Sequence, residues 1–225
     1  MMKTAVKLVA SSIIGLGFLG FILFCPAGTF DYWQAWVFIA SFTVATIVPS
    51  LYLARTNPAA LRRRLRSGPL AEGRTAQKFI IIGAFLGIFG MVVLSVLDHR
   101  FGWSSVPAVV CVIGDVLVVA GLSTAMLVVI QNGYAAATVR VEEGQKLASR
   151  GLYKLVRHPM YAGDVILMVG IPLALGSYWG LLGLIPGILA LVFRILDEEK
   201  LLAQELAGYS AYGQRVRYRL MPYVW

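Results

Sequence analysis

Four runs of about twenty apolar residues constrain this chain more than any other feature: Ala5–Phe24, Trp33–Ala54, Phe79–Leu97 and Val106–Ile130. At 1.5 Å per helical residue, about 20 residues cross the hydrocarbon core of a bilayer. The first run contains one charge, Lys7, and the last contains only Asp115. A fifth apolar region, Met160–Phe193, is too long for one pass and is divided by Gly176-Ser177-Tyr178. Its halves are each about 16 residues, short for a span, so a tight helical hairpin is expected there. No alternating strand pattern is evident. Composition agrees: 59% of residues are hydrophobic and 14% charged, with a mean hydropathy of +0.77. Soluble domains carry about 25% charged residues, so a soluble or disordered chain is excluded. The expected fold is an all-α, polytopic membrane helix bundle with four spans, a C-terminal hairpin and a cytoplasmic tail helix.

The positive charges set the expected orientation. If every segment crosses, nineteen of the twenty Lys and Arg residues fall on one side and only Arg100 falls opposite. By the positive-inside rule both termini are then cytoplasmic, in a multi-pass protein of a bacterial inner membrane. The first run exceeds the usual length of a signal-peptide core and is expected to be retained. A net charge of +9 is thereby explained by orientation and anionic lipid, and nucleic acid is not an expected partner. Arg62-Arg63-Arg64 reads as an anchor at the headgroups.

Several kinds of chemistry can be set aside. Gly15-Leu16-Gly17-Phe18-Leu19-Gly20 matches a dinucleotide-loop pattern but lies within a membrane run, where close helix packing suits it better. HExxH and GxSxG are absent, and two cysteines with two histidines form no metal-ligand pattern. Residues 1–130 therefore read as scaffold helices with a basic loop, and 131–225 as the region holding a site.

Two stretches of that region are rich in ionisable groups. The first runs from Gln145 to Gly163 and contains Arg157-His158-Pro159-Met160-Tyr161. Pro159 suits the first turn of a helix, whose unpaired N–H groups and positive dipole end favour an anion. The same composition also suits a belt at the membrane interface. The second stretch is Arg194-Ile195-Leu196-Asp197-Glu198-Glu199. Arg194 and Glu198 are four apart and share a helix face. A plain surface pair of this kind is worth under about 1 kcal/mol. Tyr209 and Tyr212 follow, suited either to closing over a site or to packing.

Taken together, Arg157-His158-Pro159-x-Tyr161-x-Gly163, the apolar hairpin, Arg194-x3-Glu198-Glu199-x2-Leu202 and Tyr209-x2-Tyr212 resemble the isoprenylcysteine carboxyl methyltransferase family. Membrane methyltransferases of phospholipids share the pattern. The resemblance covers residues 131–225. It implies an S-adenosylmethionine-dependent enzyme whose cofactor sits at the cytoplasmic end of the C-terminal helices. Gln145, Lys146, Leu147, Ala148 and Tyr153 match the run lining the cofactor. His158, Pro159, Met160 and Tyr161 match the main motif, and Glu198 the carboxylate that holds the cofactor. Arg194 matches the catalytic arginine at the substrate carboxylate. An upstream polar contact corresponds to Thr138 or Arg140. The tail departs from the pattern: the usual Phe-Gly reads Leu206-Ala207. The implied reaction is carboxyl O-methylation of an isoprenylcysteine-like or other lipophilic carboxylate, with an apolar tail entering from the bilayer.

Three alternatives stand beside it. A phospholipid N-methyltransferase would need a proton acceptor near the methyl group rather than an arginine. An NADPH-dependent membrane reductase would need further basic residues for the 2′-phosphate. A transporter would make use of Asp115, an acid within a span, which could otherwise hydrogen-bond a neighbouring helix.

Overall fold

The expected spans form long helices because a backbone in hydrocarbon must satisfy its own hydrogen bonds. The computed structural model describes residues 2–66, 74–135 and 144–225. Its helices are α1 (Met2–Ala27), α2 (Trp33–Thr56), α3 (Pro58–Arg66), α4 (Thr75–Phe101), α5 (Ala108–Gln131), α6 (Pro159–Ala174), α7 (Leu184–Glu205) and α8 (Tyr209–Arg215). The described residues contain no strand. Among the described residues, four helical stretches are long and apolar enough to cross a membrane: Trp33–Thr56, Thr75–Phe101, Ala108–Gln131 and Trp179–Glu205.

The hairpin differs from its expected shape. Gly176, at φ +71°, makes the turn, and Ser177 N–H bonds to the Pro172 carbonyl. The first arm, α6, has 16 residues, but the second runs without a break from Trp179 through a 3-10 turn to Glu205, 27 residues in all. The acidic stretch lies on the continuation of this second arm, and α8 follows it as a short tail helix. Helical hydrogen bonding continues through it because Arg194–Glu205 contains neither Pro nor Gly.

Close packing lies elsewhere than expected. Around Gly15, Gly17 and Gly20 nothing stands within 4 Å of where a Cβ would be. The intimate pair is α5 and α6. A Cβ on Gly121 would come 2.6 Å from the Gly163 carbonyl oxygen, and one on Gly170 would come 2.8 Å from that of Gly114. Gly114 and Gly121 on one helix, and Gly163 and Gly170 on the other, are each seven apart, two turns, so the backbones touch twice.

The contacts sort the helix ends into two sets. At one end Asp98, fully buried, accepts hydrogen bonds from Ser104 N–H (2.6 Å), the Ser104 hydroxyl (2.6 Å) and the Ser177 hydroxyl (2.5 Å). Tyr32 stacks on His99 and donates to the Leu175 carbonyl at 2.7 Å. Arg100, the one basic residue expected on this side, donates to the Pro26 carbonyl at the last turn of α1, where the helix dipole favours a cation. The opposite end gathers the start of α4, the end of α5, the start of α6 and the end of α7. In between, Asp115 accepts from the Ser41 hydroxyl of α2 at 2.8 Å, a hydrogen bond between neighbouring helices. Cys25 and Cys111 are free thiols.

Candidate active site

Pro159 opens α6 in the first turn, as its fixed φ and missing N–H allow. His158 precedes it, and the tail holds this corner. Arg157 N–H bonds to the Tyr218 carbonyl and His158 N–H to the Arg219 carbonyl, both at 2.9 Å. Gly151, at φ +61°, begins the 3-10 turn Gly151–Lys154 that presents Tyr153. A side chain at Gly151 would run into Gln131, whose Oε1 accepts from Leu152 N–H. The turn is thereby seated on the end of α5.

The start of α6 meets the end of α7. Tyr161 donates to Glu198 Oε2 at 2.6 Å, and Arg194 Nε donates to the Tyr161 hydroxyl at 2.9 Å. His158 stacks over Tyr161 with centroids 5.5 Å apart. Glu199 forms a separate hub: Arg157 Nε and Arg219 Nε each lie 3.0 Å from its oxygens, and His158 Nε2 lies at 3.2 Å. Arg194 is 6% exposed, and its Nη1 donates to Gln77 Oε1 at 2.9 Å.

These elements line an open-mouthed cavity with about 790 Å³ of empty space, the solvent at its mouth included. Its wall includes Gln145, Lys146, Leu147, Ala148, Tyr153, His158, Pro159, Met160, Tyr161 and Glu198, brought together from separate segments. Arg194 is not part of the wall; it stands behind Tyr161. Thr138 and Arg140 lie outside the described residues. The wall also contains Asn132, Tyr134, Arg157, Leu202, Leu206, Tyr209 and Tyr212. Of these, Asn132 and Tyr134 gave no signal in the sequence, being single polar residues after a span. Arg63 also acts differently from a headgroup anchor: it donates to the Gly133 carbonyl at 2.9 Å and lies over the Tyr134 ring.

Tyr153, Tyr209 and Tyr212, which lie outside the spans, stay protonated near neutrality. Burial raises Tyr153 and Tyr209, the latter also through Glu199 and Glu198. Burial pushes Tyr212 up to about 12. Tyr212 donates to the Tyr153 carbonyl at 2.7 Å and so fastens α8 over the 3-10 turn. The Tyr209 hydroxyl is buried in the wall with no hydrogen-bond partner among the described residues. A buried unmet hydroxyl is costly, and a polar ligand atom in the cavity would satisfy it.

An apolar helix bundle with four described stretches long enough to cross a bilayer is the architecture of an integral membrane protein. Comparison with known proteins gives the class. Residues 109–208 match the phospholipid methyltransferase family. That family is part of the membrane methyltransferase superfamily, which includes the isoprenylcysteine carboxyl methyltransferases. The chain is also similar to the mouse Delta(14)-sterol reductase TM7SF2, 34% identical over 95 residues. That match covers 39% of this chain and 22% of the reductase, so the similarity spans about a fifth of that relative's length.

Proposed function

We propose that the protein transfers a methyl group from S-adenosylmethionine to a lipophilic acceptor, first of all a carboxylate borne on an apolar chain. The observation that carries this reading is the 2.6 Å hydrogen bond from Tyr161 to Glu198 on the cavity wall, which closes α6 against α7. S-adenosylmethionine, when bound, supplies a methyl group on a cationic sulfur. The residues present suit it. Glu198 offers an anionic oxygen, the unmet Tyr209 hydroxyl a donor, and Tyr153, Tyr209 and Tyr212 aromatic faces. Gln145–Ala148 and His158–Tyr161 complete the holding set.

Arg194 sits one turn before Glu198, about 6 Å nearer the membrane along α7. There its guanidinium, buried behind Tyr161, brings positive charge toward the head of an acceptor whose tail remains among the lipids. Tyr161 lies between the two and sets their separation. A wall that excludes water strengthens attraction between opposite charges, and a carboxylate acceptor needs no general base. Residues 131–225 are thus the methyltransferase region, and the basic termini and loops face the cytoplasm.

The family match favours a second acceptor, the amine of a phospholipid headgroup. Glu198 and His158 are the wall groups able to take its proton. Similarity to the sterol reductase favours hydride transfer from NADPH. Calorimetry on the detergent-purified chain separates these readings. S-adenosylhomocysteine is expected to bind and NADPH not to, and Glu198→Ala is expected to abolish that binding. Labelled methyl transfer to N-acetyl-S-farnesylcysteine, compared with dioleoylphosphatidylethanolamine, then chooses the acceptor. Tight NADPH binding without S-adenosylhomocysteine binding would overturn the proposal.

A further inference from the structure

A polar side chain of α4 reaches Arg194 behind the site. Gln77 lies in the first turn of α4, outside the family match, and is fully buried. Its Oε1 accepts from Arg194 Nη1 at 2.9 Å, and its Nε2 donates to Asp197 Oδ2 at 2.6 Å. Asp197 is held in turn by Arg74, whose Nη2 lies 2.8 Å from Oδ1. The orientation of the amide is dictated by its neighbours. Reversed, its NH2 would face a guanidinium and its oxygen a carboxylate.

The direction of hydrogen bonding then propagates. Asp197 fixes the amide of Gln77, and Gln77 fixes one nitrogen of Arg194. Arg194 Nε donates to the Tyr161 oxygen, so the proton of Tyr161 points to Glu198, 2.6 Å away. A long flexible arginine is thereby held at two of its nitrogens by neutral oxygens from two different helices. A full complement of partners matters here because a poorly satisfied buried polar group is expensive.

We propose that Gln77 is a positioning residue for methyl transfer, acting through Arg194 and Tyr161, so that α4 contributes to the site and is not scaffold alone. This rests on the methyltransferase reading above. Gln77→Ala removes the hydrogen bond that holds Arg194, together with the one to Asp197, and is expected to slow transfer between about tenfold and a hundredfold. S-adenosylhomocysteine affinity should change by less than about threefold, because Gln77 does not touch the cavity wall.

Two further comparisons separate positioning from simple helix tethering. In an Arg194→Ala background, Gln77→Ala should have no further effect on the rate, since the group it positions is gone. Gln77→Glu alone should be impaired, because its second oxygen would face Asp197. Combined with Asp197→Asn it should recover, because the introduced carboxylate would accept from both Arg194 and the introduced amide. Rates are read as methyl transfer to N-acetyl-S-farnesylcysteine or dioleoylphosphatidylethanolamine, whichever the unaltered protein methylates. Additive losses in the Arg194→Ala background, or no recovery in the paired variant, would overturn the role of Gln77. An unaltered protein that bound no S-adenosylhomocysteine would instead sink the methyltransferase reading, and the role of Gln77 in transfer with it.

Discussion

Glu199 offers the most direct test of how the site is held. Its carboxylate lies against Arg157, His158 and Arg219 at 3.0, 3.2 and 3.0 Å. Its side chain is 13% exposed, Arg157 12% and Arg219 27%. The first two partners belong to the corner that starts α6, and the third to the tail that bonds that corner's backbone. Glu199→Gln replaces a shared acceptor by an amide whose NH2 must face a cation. Breaking a buried ion pair by removing one partner costs about 3–5 kcal/mol. Arg219, the most exposed of the three, adds no more than about 1 kcal/mol. A loss of about 3–5 kcal/mol corresponds to a melting shift on the order of 10 °C for a chain of this size. The measurement is thermal unfolding in detergent, together with trypsin cleavage after Arg215 and Arg217. The variant should melt early and release its tail faster, while Arg219→Ala should shift melting by only a few degrees. If Glu199→Gln melts within about 2 °C of the unaltered protein and its tail is no easier to cut, the clamp contributes nothing and the reasoning fails.

Two other perturbations probe the frame. Gly121→Val would place a Cβ 2.6 Å from the Gly163 carbonyl oxygen and force α5 from α6, an overpacking cost of about 1–3 kcal/mol or more. Early melting and loss of monodisperse protein on size exclusion are expected, whereas Gly17→Ala, with open space around it, should behave as the unaltered chain does. Asp98→Ala leaves three donors at the far end without their acceptor, for which a loss of about 3 kcal/mol is expected. Thermal unfolding measures it, and Ser104→Ala should account for only part of the loss.

The spans were legible because hydrocarbon thickness dictates how many apolar residues a crossing needs, and the break at Gly176-Ser177 because a turn needs its positive φ. The corner at His158-Pro159 was legible for a local reason too, since proline suits a first helical turn. The extent of α7 was not read, because its apolar part ends at Phe193 while its hydrogen bonding continues to Glu205. Apolar patterning reports what faces lipid, not where a helix stops. Which glycines make close contact was also hidden. Gly15, Gly17 and Gly20 attract attention by their spacing, yet Gly114, Gly121, Gly163 and Gly170 do the packing, because a glycine's neighbour on another helix leaves no mark beside it in the chain. Gln77 escaped for the same reason: its partners Arg194 and Asp197 lie 117 and 120 residues away.

A membrane bundle faces a particular problem in building a site with exact distances. Lipid chains are as apolar as leucine, so burying apolar faces does little to press the helices together. This fold meets the problem with two different devices. Between α5 and α6 the glycines let the backbones touch, which sets the start of α6, and with it His158 and Tyr161, against the end of α5. Between α6 and α7 no such contact is available at the site end, because the cavity lies there. The separation is set instead by polar links across the gap: Tyr161 to Glu198 and to Arg194, and the Glu199 hub, with Gln77 of α4 bracing Arg194. A polar link in a low-dielectric rim is strong only when its geometry is kept, so each one resists displacement of the others. The cavity can therefore stay open between α6 and α7 without the helices drifting, and the groups that hold its shape are the same ones that bring charge to its wall.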